Sequence, residues 1–454
     1  MCPQRSQPRR RKDFGSAYAG DYVLPANWQS AYSAAPPEPS LSGVFGSFFA
    51  GWIGDMVGKK PTFLAGYIVV FVGITVQIIA TTNPIFFVGK LIGGFAIGIG
   101  TTTSFSYMVE ISPMVLRGIL IAAGASAYTV AQLAVALIVK YVSDRQNRWA
   151  YRGLFLGQHV ITFLGVIFLP FLPESPYWLV SAAKRDKAAR SLRKLGYSNE
   201  KISGQIESIQ NTLDTATTET NLHRTMIAVL PGAIQNFAGV YFVGAYLVYF
   251  AQLLGYSSSG SFKIGIAQQV ASMVGFILSW FIIDRLGRRI LSVYGVAIEV
   301  VLLAIGGGLT TSTNPTCIRT AIAIFVIFQF ACSLTMASAG FVILTETPTS
   351  RLRVKTAALA MIVQNACLCV LALVIPYVFN PDKANLGGKT SFISVAAGVL
   401  SVVYLYFCQP ETAGRTFAEL DEMFIKGVPA RSFRSHQTEA ELGASGGGRT
   451  VTRP

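Results

Sequence analysis

An all-α membrane protein made of two related halves is the fold this chain predicts, and three observations predict it. The first is composition. Of 454 residues, 52% are hydrophobic and 13% charged, with a mean hydropathy of +0.49, whereas soluble proteins carry roughly 25% charged residues. The second is segment length: eleven mainly apolar stretches have the roughly 17–25 residues that a helix needs to cross a hydrocarbon core. The third is an internal repeat. Asp55-Met-Val-Gly58-Lys59-Lys60 recurs as Asp284-Arg-Leu-Gly287-Arg288-Arg289, 229 positions on. Glu110-x6-Arg117 recurs as Glu346-x6-Arg353 at an offset of 236, and Pro173-Glu174-Ser175 as Pro410-Glu411-Thr412 at 237. Three motifs in one order at nearly one offset mark a domain-scale duplication, far longer than a solenoid unit.

The apolar stretches fall at about 41–57, 62–80, 85–109, 119–140 and 154–171, then at 226–250, 264–283, 290–310, 320–344, 354–379 and 389–408. Short alternating segments of the barrel type are not visible. This divides the chain into an N-terminal segment and extracellular loop (1–40), a five-helix bundle (41–171), a polar linker (172–225), a six-helix bundle (226–424) and a tail (425–454). The linker is expected to hold amphipathic cytoplasmic helices, because Leu192 and Leu195 share a helical face with nearby alanines. The tail, rich in Ser, Gly and Arg, is expected to be disordered. The second half opens with an apolar stretch from about Met226 to Phe250, and its counterpart 229 positions earlier would begin before residue 1. The first half is therefore expected to lack its first helix, leaving 11 of 12. Gly93-Gly94-x3-Gly98-x-Gly100 lies inside an apolar helix. Small residues four apart there serve close helix crossing; a phosphate loop would need a strand-to-helix turn.

The net charge of +15 could suggest a nucleic-acid partner, but its distribution argues for topology instead. Assigning loops alternately to two sides places 17 Lys and Arg on one side and 8 on the other, which makes the richer side cytoplasmic. Arg9, Arg10, Arg11 and Lys12 conflict with an outside N-terminus, and a restored first helix would remove the conflict.

Little here suggests catalysis. His159, His223 and His436 are scattered, and Cys367-x-Cys369 lacks the partner pair of a zinc site. No cofactor, metal or enzymatic activity is expected.

Several motifs together resemble the sugar porter branch of the major facilitator superfamily, over about residues 20 to 425. They are Asp-x-x-Gly-Lys-Lys (55–60), Glu-x-x-Pro-x-x-x-Arg-Gly (110–118), Pro-Glu-Ser-Pro-x-Trp-Leu (173–179), Gly-Arg-Arg (287–289) and Pro-Glu-Thr-x-Gly-Arg-Thr (410–416). Arg148-Trp-Ala-Tyr-Arg152, Glu346-x-Pro-x-Ser-Arg-Leu-Arg353 and Asn380-Pro-x-x-Ala-Asn-Leu-Gly are similar to fungal members, including hexose and maltose permease-like ones. The resemblance implies two pseudo-symmetric six-helix bundles rocking about a central sugar site, in a monomer that spans the plasma membrane many times. It also implies transport of a hexose or disaccharide with proton symport. A sugar sensor on the same fold and an inactive truncated product are the alternatives.

Charge and resemblance together point to a cytoplasmic gate. Asp55, Lys59, Lys60, Glu110, Arg117 and Glu174 have counterparts in Asp284, Arg288, Arg289, Glu346, Arg353 and Glu411, with Arg415 beyond. Ion pairs between bundles would hold the gate shut; solvated loop charge is the alternative.

Polar residues within spans are costly and so mark candidate sites. By resemblance, Gln132, Gln235 and Asn236 match sugar-contacting positions. Gln364 and Asn365 fall on the eleventh family helix, and Phe341 stands where relatives carry a stacking aromatic. Amides offer donors and acceptors to hydroxyls, and a ring face covers sugar CH groups; interhelical hydrogen bonding is the other reading. Tyr241 departs from the family's Asn, which bears on hexose selectivity. Lys90 matches a basic position that proton-coupled members pair with an acid on the first helix. It is either a coupling residue or a snorkelling cation. Glu299 is read as a structural hydrogen-bonding acid.

Overall fold

The structure is a computed structural model that describes residues 16–18, 21–23, 41–113, 116–142, 149–215, 222–253, 258–312, 314–348, 353–379, 386–415 and 417–438. Two three-residue strands, β1 (Ser16–Tyr18) and β2 (Asp21–Val23), pair antiparallel near the N-terminus. All other regular structure among the described residues is helical.

The first half holds α1 (Leu41–Val57), α2 (Lys59–Ile79), α3 (Asn83–Ile111), α4 (Arg117–Val142) and α5 (Trp149–Phe168). The linker forms α6 (Pro176–Ser181), α7 (Arg185–Lys194) and α8 (Asn199–Thr215). In the second half, α9 (Leu222–Gln235) runs through a π turn (Asn236–Val240) into α10 (Tyr241–Leu253). Next come α11 (Ser258–Leu286), α12 (Arg288–Leu309), and α13 (Pro315–Leu334) with α14 (Met336–Glu346), one span broken at Thr335. The half closes with α15 (Arg353–Phe379), α16 (Ser391–Cys408) and a short α17 (Phe417–Ile425). Among the described residues nine spans are long and apolar enough to cross a membrane, and Leu41–Val57 and Phe155–Phe171 are shorter apolar helices. These are the eleven regions expected from hydropathy.

Local chemistry sets several helix starts. Pro lies in the first turn of α3, α6 and α13, where its missing N–H costs nothing. Asn314 caps α13 by accepting from Thr316 N at 2.9 Å, and Ser175 caps α6 by accepting from Trp178 N at 3.2 Å. The glycine run of α3 does serve packing. A Cβ on Gly98 would lie 2.2 Å from Gly43 O, and one on Gly46 would lie 2.0 Å from Phe95 O, so α1 and α3 cross with backbones nearly touching.

The two bundles meet along α4 against α11 and α1 against α15. One apolar cluster spans the junction: Phe105, Val109 and Ile121 of the first half pack with Val229, Ile283 and Leu291 of the second. The linker helices carry a small core of Leu179, Val180, Ala188 and Ile209, and Leu192 is buried with it, as amphipathic helices should be. They are fastened to the first half, since Trp178 Nε1 donates to Asp55 O at 2.9 Å and Glu174 Oε1 accepts from Lys59 N at 2.9 Å.

The tail departs from expectation. Phe433 is buried against Leu420 and Met423. Arg415 Nη2 donates to Phe433 O at 2.9 Å and to His436 O at 2.7 Å. Residues up to 438 are thus docked rather than disordered, because one aromatic and one buried guanidinium anchor a segment whose composition looks featureless. Residues 439–454 lie outside the described ones.

Candidate functional site

The repeated motifs build the same device twice. Helices α2 and α12 each start after a glycine with positive φ, +98° at Gly58 and +89° at Gly287, a region that side chains other than glycine's rarely adopt. The first N–H groups of a helix have no partner within it. Here a carboxylate supplies one. Lys59 N and Lys60 N donate to Glu174 Oε1 and Oε2 at 2.9 and 3.2 Å. Arg288 N and Arg289 N donate to Glu411 Oε1 and Oε2 at 2.9 and 3.2 Å. Two acids more than a hundred residues from their helices therefore cap them, helped by the positive end of the helix dipole.

Beside each cap lies a buried cation. Lys59, 2% exposed, has its Nζ 3.6 Å from Glu110 Oε1. Arg288, 4% exposed, has an Nη2 that is 2.8 Å from Asp284 Oδ1 and 3.1 Å from Glu346 Oε1. Thr412 Oγ1 donates to the other Glu346 oxygen at 2.7 Å.

The pairs of Lys59 and Arg288 do not bridge the bundles as expected, for each closes within its own half. Lys60 Nζ donates to Pro170 O at 3.3 Å and Arg289 Nη2 to Tyr406 O at 2.8 Å, again within a half. Arg415 Nη2 is committed to the tail carbonyls of Phe433 and His436. The physical reason is proximity: the partners stand one turn away or on an adjacent helix of the same bundle, so the buried cation is neutralised without crossing. Across the junction, the backbone of the first half comes up against the second-half pair of Asp284 and Arg288. A Cβ on Gly118, at the start of α4, would lie 2.6 Å from Asp284 Oδ1 and 2.7 Å from Arg288 Nη2. Arg117 beside it is buried. Asp55 feels the attraction of Lys59 and, from α15, of Lys355. The side chain of Arg353 lies outside the described residues.

In the second half, beside the bundle junction, is a small cavity lined by Gly232 and Gln235 of α9, Gly340 and Phe341 of α14, and Ala360 and Gln364 of α15, among others. Three of the six candidate binding residues, Gln235, Phe341 and Gln364, thus share one wall. Asn236 does not line it: its Nδ2 donates to Gly232 O at 2.9 Å, an internal bond of the π-turn region. Gln132 on α4 and Asn365 on α15 are half-buried and outside this wall.

Phe341 also stacks on Phe105 of α3 with centroids 4.4 Å apart and planes 7° apart. The cavity's aromatic wall is therefore where the halves touch. Sequence reading missed Phe105, one of 30 phenylalanines with no local signal to distinguish it. Lys90 is buried on α3 with its Nζ 5.8 Å from the Phe86 ring centroid.

Two helical halves related by repeated caps, a cavity beside their junction and eleven apolar helical regions define a multi-pass membrane transporter. The sequence matches the sugar (and other) transporter family over residues 26–424, and the chain belongs to that family. Among similar proteins is the maltose permease MAL61 of Saccharomyces cerevisiae, 29% identical over 457 residues, covering 95% of this chain and 73% of that protein. The alpha-glucosides permease MPH3 of the same species is 28% identical, covering 95% and 75%. The fold is that of the major facilitator superfamily. The proton:xylose symporter XylE, solved with 6-bromo-6-deoxy-D-glucose, superposes with a TM-score of 0.77 at 21% identity, covering 88% of this chain and 90% of XylE.

Proposed function

We propose that this protein carries a sugar, an α-glucoside disaccharide or a hexose, across the plasma membrane by alternating access of its two bundles, with a proton as co-substrate. One observation carries the reading: two amides and an aromatic ring, on three different helices of one half, converge on a single cavity beside the bundle junction. Gln235 and Gln364 each bring donors and acceptors to sugar hydroxyls, and Phe341 offers a face to the ring's CH groups. Gln132, Asn236 and Asn365 are the outer candidates for contact when the bundles tilt, and Lys90 remains the candidate coupling residue of the first half. The apolar cluster of Phe105 and Ile283 is continuous with the cavity lining through Val229, Phe341, Leu344 and Ala360. The capped and ion-paired helix starts keep each half rigid, so that the halves move as bodies. The names of the relatives, maltose and alpha-glucosides permeases, favour a glucoside.

The test is uptake in a host deficient in sugar transport. Gln235→Leu is expected to raise the apparent Km about ten-fold or more with surface expression unchanged, because a buried hydrogen bond lost without replacement costs about 1–3 kcal/mol, and 1.4 kcal/mol is ten-fold. Gln158→Leu, on α5 away from the cavity, is the control and should leave Km unchanged. Competition by maltose, glucose, xylose and the non-sugar acid quinate sorts the substrate class. If quinate alone competes, the sugar reading fails.

A further inference from the structure

Glu299 lies in the middle of α12 with no exposed surface, and nothing in the cavity's chemistry uses it directly. It faces the break between α13 and α14. Thr335, the residue at the break, has φ −111° and ψ −94°, outside helical geometry. A Cβ on Gly295, one turn before Glu299, would lie 2.4 Å from Thr335 Cβ, so α12 is pressed against this point.

Thr335 Oγ1 is 2.7 Å from Ala331 O and 3.1 Å from Glu299 Oε1. A hydroxyl has one hydrogen, so Thr335 can donate to only one of the two, and the carboxyl receives at most one donor from it. From the elements packed on α12 (α11, α13, α14, α16, the π turn and the short turn Gly387–Thr390 with Lys389), the groups acting on Glu299 are the Thr335 hydroxyl and the Cys332 thiol, and among the described residues no charged side chain does. Glu299 Oε2 has no hydrogen-bond partner. A buried carboxylate with no cation and one bare oxygen is far costlier than the neutral acid. The Cys332 thiol reaches both Glu299 and Gln235, which joins this acid to the cavity wall.

We propose that Glu299 is a proton-binding site of the second half: a carboxylic acid buried beside Thr335 at the break in the α13–α14 span, whose proton is released when that break opens to water. In the step, the carboxyl O–H bond breaks, the proton passes to an entering water, and a hydrated carboxylate remains. Through Cys332, a ligand on Gln235 bears on the same group. This coupling rests on the transport reading; the occupancy of the proton does not.

Infrared spectroscopy of the purified full chain in lipid tests occupancy. A carbonyl stretch of a protonated carboxylic acid should be present, be lost in Glu299→Gln, and shift to higher frequency in Thr335→Val, which removes the hydroxyl. No difference in either variant would overturn the site, whatever the substrate. Uptake tests coupling. Glu299→Gln is a permanently neutral group of the same shape. It should keep downhill exchange of maltose while losing the dependence of accumulation on external pH. Unchanged accumulation and an unchanged pH profile would overturn the coupling. A protein that shows the infrared band but moves no sugar would retain the proton site and fail the sugar reading alone.

Discussion

Glu346→Ala is expected to destabilise the purified protein by on the order of 3–5 kcal/mol, the cost of breaking a buried ion pair by removing one partner. Arg288 is 4% exposed, and Glu346 is the acid that both pairs with it at 3.1 Å and accepts from Thr412 at 2.7 Å. Asp284 remains at 2.8 Å, but its side chain is 35% exposed, so its charge is partly screened by solvent. The loss should be visible as earlier aggregation on heating in detergent, followed by size-exclusion chromatography. The exposed pair Lys426–Glu422, with Lys426 43% exposed, supplies the comparison. Glu422→Ala should change the profile little, since exposed pairs are worth about 0–1 kcal/mol. Equal effects from the two substitutions would show that the basic-end network does not brace the second half.

Gly287→Val should abolish surface expression. Two costs fall on one residue. The backbone is held at φ +89°, where a β-branched side chain is a steric outlier. The new Cβ would also lie 2.2 Å from Glu411 Oε2, the oxygen that accepts from Arg289 N. Either the backbone or the carboxylate cap must move, and a moved cap exposes the orphan N–H groups of α12 in a buried setting. Gly58→Val is the matched test in the first half, where the contact with Glu174 Oε2 is looser at 3.0 Å, so its defect should be the milder. Surface labelling of both variants checks the order. Wild-type expression of Gly287→Val would sink the cap assignment.

Much of the architecture was legible without coordinates. Hydropathy is a sum over about twenty neighbours in sequence, so the eleven spans could be placed close to where the helices lie. The repeated motifs announce two halves, and Gln235, Gln364 and Phe341, which polarity and resemblance single out, line one cavity. A partner's identity is less legible. Salt bridges between the bundles are expected from the sequence, yet Lys59 and Arg288 pair inside their own halves, and Arg415 donates to the tail at Phe433 O.

The sequence by itself determined that this is a helical membrane protein of duplicated halves, because composition, periodicity and repeated motifs are local quantities summed along the chain. Only the tertiary structure decided which groups meet. Glu174 caps Lys59 from 115 positions away, and Phe105 stacks on Phe341 across the junction of the bundles. Thr335 braces Glu299 from 36 positions away. Such contacts depend on how helices cross and on which close approaches the glycines permit. That geometry is fixed by mutual packing of distant segments, and no window of neighbouring residues encodes it.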